Sequence, residues 1–110
     1  MAYDDKTADR VRNVLKRRKG FTERKMFGGI AFVFNGHMAC GVNQKDLVLR
    51  LGEERTAKAL RGEPYTRELD FTGKVLKSMV YVSPAGFNSN EKLRFWVDQA
   101  IAYVKTLPAK

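Results

Sequence analysis

The sequence predicts an α+β fold: two layers, with a five-stranded antiparallel sheet and helices on one face, in the order α-β-β-β-α-β-β-α. Three observations carry this expectation. Asn35-Gly36 sits between two apolar runs, the strongest short-range signal of a hairpin. Residues 89–107 carry apolar side chains at three- and four-residue spacing, the pattern of a helix with one buried stripe. The remaining connections are short, and a parallel pair of strands needs a crossover of about a dozen residues or more, so the strands pair antiparallel.

Residues 5–19 read as the first helix. Ala8, Val11, Val14 and Leu15 recur at helical spacing, Asp4 or Asp5 caps the start, and Gly20 stops it. Strands follow at 30–34, 37–43 and 47–51. A shorter helix at 53–61 ends at Gly62 and Pro64. Two more strands are expected near 67–71 and 75–82. The final helix, 89–107, buries Leu93, Trp96, Val97, Ala100, Ile101, Val104 and Leu107, and Asn88 with Glu91 resembles a capping box. The prolines, Pro64, Pro84 and Pro108, fall where elements end. There is no internal repeat and no low-complexity linker, so residues 1–110 are read as one domain.

A two-residue turn at Asn35-Gly36 fixes the expected register. Phe34 faces His37, Val33 faces Met38, Phe32 faces Ala39, Ala31 faces Cys40 and Ile30 faces Gly41. Alternation then places Ile30, Phe32, Phe34, His37, Ala39 and Gly41 on one face, and Ala31, Val33, Met38, Cys40 and Val42 on the other. Both faces are apolar, and helices on one side cover only one of them. Contiguous exposed apolar surface marks an interaction site. Ile30, Phe32, Val33, Phe34 and Met38 are therefore the candidate protein interface, for a transcription factor or a second copy of the chain in a homodimer.

Composition narrows the classes further. The chain has 110 residues, 44% of them apolar, enough for a folded core. No apolar run approaches the ~20 residues of a membrane-spanning helix. The acidic start has no apolar leader, and the single cysteine forms no internal disulfide, so a reduced, cytoplasmic setting is expected. The net charge is +9, and residues 1–25 hold nine Lys and Arg against four Asp and Glu. Lys16, Arg17, Arg18, Lys19, Arg24 and Lys25 are the candidate nucleic-acid contacts. Set against this, basic residues near a helix C-terminus also oppose its dipole and need no ligand. No helix-turn-helix, zinc finger or RNA-recognition signature accompanies them.

Chemistry-bearing motifs are weak. Gly28-Gly29 precedes a strand, whereas a phosphate cradle needs a helix after its glycines. His37 and Cys40, the only residues of their kinds, are three apart on a strand and should point to opposite faces, which excludes a ligand pair or a nucleophile with its base. Zinc needs three or four protein ligands. Asp4-Asp5 and Glu53-Glu54 sit at helix starts, where dipole effects account for them. No catalytic residue, cofactor or metal site is expected, and the chain reads as a non-enzyme.

Taken in order, "MAYD" with "RVRNVL", "KMFGGIAFVFNGHMACGV", "LVLRLG", "DFTG", "VYVSP" and "LRFWVDQAIAY" resemble the N-terminal domain of the TfoX/Sxy family of bacterial competence regulators. The resemblance covers nearly the whole chain. It implies a two-layer domain with a five-stranded antiparallel sheet, similar in plan to secretion-chaperone folds, and a role in transcription regulation by helping another protein. It brings no catalytic or cofactor residues. Full regulators of that family continue into a second, C-terminal domain, and this sequence stops at Lys110, so a stand-alone relative is expected. Direct, sequence-nonspecific nucleic-acid binding through the basic N-terminal region is the alternative function.

Overall fold

Asp4 opens the first helix. In the computed structural model, which describes residues 3–26, 28–70 and 75–108, its carboxylate accepts from the Thr7 N–H at 3.0 Å and the Thr7 hydroxyl at 2.6 Å. Helix α1 (Asp5–Leu15) buries Thr7, Ala8, Val11 and Leu15. It stops there and not at residue 19, because Lys16–Lys19 bring nothing apolar to the next turn to offset the cost of ordering it. Gly20, at φ 92°, then redirects the chain.

The residues after Gly20 form a strand that the sequence reading left unassigned. β1 (Phe21–Met26) is followed by β2 (Gly29–Phe34), β3 (His37–Asn43), β4 (Asp46–Arg50), helix α2 (Glu53–Gly62), β5 (Thr66–Asp70), β6 (Val75–Val82), a 3-10 turn at Pro84–Phe87 and helix α3 (Asn90–Val104). Among the described residues the sheet therefore has six strands, not five, in the order β1-β2-β3-β4-β6-β5, with every neighbouring pair antiparallel. β1 escaped notice because it is an edge strand in which charged residues take both faces, the pattern that keeps a free edge from pairing with other chains. Parts of three expected features, Met1-Ala2, Phe27 and the Phe71–Gly73 portion of "DFTG", lie outside the described residues.

Asn35 (φ 51°) and Gly36 (φ 83°) both take positive φ, as the expected hairpin turn requires. The register begins as foreseen, with Phe34 opposite His37 and Val33 opposite Met38. It then shifts: Phe32 pairs with Cys40, Ala31 with Gly41 and Ile30 with Val42. Ala39 is the extra residue of a β-bulge. The bulge changes which side chains share a face. It sends Cys40 and Val42 to the helix side beside Ile30 and Phe32, and leaves Gly41 on the other side. The larger groups enter the core and the smallest stays outside it, which buries more apolar surface than the unbroken register would.

One core lies between the sheet and the helices. Ala8, Val11 and Leu15 of α1, Ala59 of α2 and Leu93, Trp96, Val97, Ala100 and Ile101 of α3 pack with Ile30, Phe32, Cys40, Val42, Leu47, Leu49, Val80 and Val82. The cap of α3 is Ser89, which accepts from the Lys92 N–H at 3.2 Å, and not the expected Asn88. The Trp96 indole N–H donates to the Gly86 carbonyl at 3.0 Å, joining α3 to the 3-10 turn. Ion pairs tie this region down: Arg12 of α1 reaches both Glu23 carboxylate oxygens at 2.9 Å, fixing the edge strand β1, and Arg18, just beyond α1, pairs with Asp98 of α3. A second, smaller cluster (Ala31, Met38, Val48 and Leu69, with Met79 and Tyr81 packed on it) occupies the sheet face turned away from α1 and α3.

Candidate functional site

The strand pairings define a row of residues that crosses all six strands on this second face. It runs Arg24, Ala31, Gly41, Val48, Tyr81, Arg67. An arginine stands at each end, and the middle positions are small. Alanine, glycine and valine stand between longer side chains, and with successive strands about 4.8 Å apart the low positions are filled from neighbouring rows.

The floor of this face is not bare. Ala31, Val48 and Leu69 are fully buried in a single copy. The expectation that this face needs an outside partner to hide its apolar groups is corrected on this point: the chain shields the floor with its own Met38, Met79 and Tyr81. Methionine is unbranched and adaptable, so such a cover yields to a ligand more readily than a packed core does.

Arg24, Val33, Met38, Arg50, Ser78 and Met79 line a cavity of about 340 Å³ at one side of the row. Met26, 40% exposed, reaches the same cavity from the edge strand. The three arginines of the face differ in their commitments. Arg67 is fixed: it donates to Asp46 at 2.7 Å and to the Ser83 hydroxyl at 3.0 Å, and its guanidinium lies 4.7 Å from the centre of the Tyr81 ring. Arg50, at the end of β4, lines the cavity and carries its guanidinium 6.0 Å from the ring centre of Tyr103 in α3. Among the described residues, no carboxylate lies within ion-pair distance of Arg24 or Arg50. The face therefore pairs an apolar floor with two positive groups whose charge is not neutralised locally.

The residues singled out from the sequence are divided by the fold. Val33 and Met38 line the cavity, and Arg24 joins them there. Ile30 and Phe32 do not: they are 4% and 2% exposed, within the helix-side core. Phe34 is half-buried at the sheet end, its ring 5.2 Å from that of Phe21. Lys16, Arg17 and Lys19 are exposed beyond α1, away from this face, while Arg18 is engaged by Asp98. Lys25 pairs in register with Ile30 and so takes the opposite face of β1 from Arg24. Arg50, Met79 and Met26 went unnoticed. Their signal was alternation: Arg24 and Met26 share a face of β1, and Arg50 stands beside Met79 in the ladder.

The bulge also revises the reading of His37 and Cys40, expected on opposite faces. Each pairs with a residue of the helix-side set (Phe34 and Phe32), so both point toward the helices. They still do different things. His37 Nε2 donates to the Pro108 carbonyl at 2.5 Å. Burial pushes the Cys40 thiol up to about 12, far from a nucleophilic thiolate at neutral pH. Among the described residues, no three His, Cys, Asp or Glu side chains group to hold a metal ion, and no helix is long and apolar enough to cross a membrane.

The architecture defines a small α+β domain built on an antiparallel sheet, with one side packed under helices and the other carrying a smaller apolar cluster and a row of residues with an arginine at each end. The chain belongs to the TfoX N-terminal domain family, whose model matches residues 13–104. No curated protein matches it.

Proposed function

We propose that the chain is a non-enzymatic protein-interaction module, a transcriptional co-regulator related to the competence regulators, acting in the cytoplasm through the open face of its sheet. Family membership supports a competence-related regulatory role. The observation that carries the reading is the cavity on the open face, where Val33, Met38 and Met79 form an apolar floor under Arg24 and Arg50. Apolar contact with a charged rim is the composition of protein-binding surfaces, in which methionine and arginine are enriched.

The test uses Met38→Glu, which places a carboxylate at the cavity wall, beside Phe95→Ala, which trims an exposed ring on α3. Native cytosol is passed over each immobilised variant and over the parent chain, and the captured proteins are quantified. Capture of the same partner by the parent and Phe95→Ala, with loss in a folded Met38→Glu, is the expected result. Equal capture by all three would refute this function.

A second reading rests on Lys16, Arg17 and Lys19, exposed together beyond the end of α1. Such a cluster attracts polyanions without regard to sequence. Anisotropy titrations with DNA and RNA at low salt decide it. Binding that weakens with salt, by a slope of roughly 0.7–0.9 per phosphate contacted, supports it, and no shift at low salt ends it.

A further inference from the structure

We infer that the open sheet face takes an extended peptide segment of a partner protein that carries apolar side chains between carboxylates. This deepens the interaction-module reading and rests on it. The argument begins with charge. Arg24 and Arg50 bound one cavity, and neither is neutralised by a carboxylate among the described residues. A guanidinium fork matches a carboxylate with two parallel hydrogen bonds, stronger than those between neutral groups. The floor between them is apolar, with Met38 and Met79 as its adaptable cover, so the occupant's apolar side chains pack on those methionines.

Spacing sets the pattern. Arg24 lies on β1 and Arg50 on β4, three strand steps apart and, because the row of Arg24 meets β4 at Val48, two residues further along: about 14 Å across and about 7 Å along the strands, roughly 16 Å on the diagonal. An extended peptide rises about 3.3 Å per residue, so carboxylates about five positions apart span the two arginines. The apolar residues between them cross from the row of Ala31 to that of Val33 and Met38, and pack on Met38 and Met79, which shift to admit them.

Other occupants fit worse. Two copies of the chain joined face to face by a two-fold axis would set the arginines of one face against those of the other, on a chain that already carries +9. Single-stranded nucleic acid is held by aromatic faces on which bases stack, and Tyr81, which lies on this face among the described residues, is covered by Arg67.

The experiment is a selection of random dodecapeptides displayed on phage against the full chain at physiological salt. The enriched peptides are then titrated against Arg24→Glu, Arg50→Glu, the two charge-neutral variants Arg24→Gln and Arg50→Gln, and Arg94→Glu, a control at an exposed position of α3. Circular dichroism confirms the fold of each. The expected peptides carry Asp or Glu about four to six positions apart with apolar residues between. Their affinity falls about tenfold or more in each Glu variant, less in each Gln variant, and stays unchanged in Arg94→Glu. A peptide with its carboxylates changed to lysine recovers binding to the Arg24→Glu/Arg50→Glu double variant. Enrichment of neutral or basic peptides whose binding is abolished by Met38→Glu overturns the acidic partner but leaves the interaction module standing. No enrichment, peptides indifferent to every open-face substitution, or a single-stranded DNA 12-mer held by Arg24 and Arg50 as tightly as any peptide would overturn the inference.

Discussion

Phe32 and Val33 are adjacent in β2 and point to opposite sides of the sheet, and truncating each to alanine separates the two faces energetically. Phe32 is 2% exposed within the helix-side core. Phe→Ala in such a setting costs about 3–5 kcal/mol, from lost transfer energy and the cavity left behind. Val33 lines the open-face cavity. Its truncation removes two methyl groups, about 1.6 kcal/mol at ~0.8 kcal/mol each. Met38 and Met79 beside it relax into part of the space, leaving about 1 kcal/mol. For a domain of this size each kcal/mol lowers Tm by roughly 4–8 °C, so the expected drops are about 12 °C or more for Phe32→Ala and about 4–8 °C for Val33→Ala. Trp96, the only tryptophan and 3% exposed, reports unfolding by fluorescence in a urea titration, with circular dichroism as the second probe. Equal costs at the two positions, or a cost below about 1 kcal/mol at Phe32, would refute the division into a packed face and a pliable one.

The Cys40 thiol, pushed up to about 12 by burial, should not react with a disulfide reagent at pH 8 in the native chain and should react fully in urea; rapid native modification would contradict that placement. Gly52 holds φ 85°, and an added Cβ would lie 2.6 Å from Tyr103 Cε1, so Gly52→Ala should cost about 2–4 kcal/mol. The penalty should shrink by at least about 1 kcal/mol in a Tyr103→Ala background, and simple additivity of the two changes would exclude the steric cause. Hydrogen bonds from the Thr7 hydroxyl and N–H hold the Asp4 carboxyl below its ordinary value of 3.8. The folded value is the lower one, so this contribution is complete above pH 3.8 and fades as pH falls through the folded value. Asp4→Ala should therefore melt below the parent at pH 7 and converge with it in acid; a constant gap across that range would count against the cap.

The elements with strong local signals were legible. Asn35-Gly36 placed the hairpin turn, and the stripe from Leu93 to Val104 placed α3, because backbone conformation and helical period are written in a few adjacent residues. β1 was not legible, since its Thr22, Glu23, Arg24 and Lys25 show no apolar alternation and the strand exists only by pairing with β2. The bulge at Ala39 was hidden for a related reason. Whether Ala39 and Gly41 or Cys40 and Val42 enter the core is decided by the volume the helices leave, a tertiary quantity. Alternation along β2 already parted Ile30 and Phe32 from Val33 and Met38; the one-residue slip decided that Cys40 and Val42 join the first pair in the core. The arginines of the open face were visible as letters but not as neighbours: Arg24 and Arg50 meet at one cavity only because β1 and β4 flank β2 and β3 in the sheet.

The most direct measurement of where a partner docks is a methionine-methyl NMR titration of the full chain with the tightest peptide from the selection. The chain has four methionines, and Met26, Met38 and Met79 line the open-face cavity. Saturable shifts at Met38 and Met79, absent in the Arg24→Glu/Arg50→Glu double variant, are the predicted result. A peptide shown by anisotropy to be bound that leaves the Met26, Met38 and Met79 methyl signals in place would contradict the account.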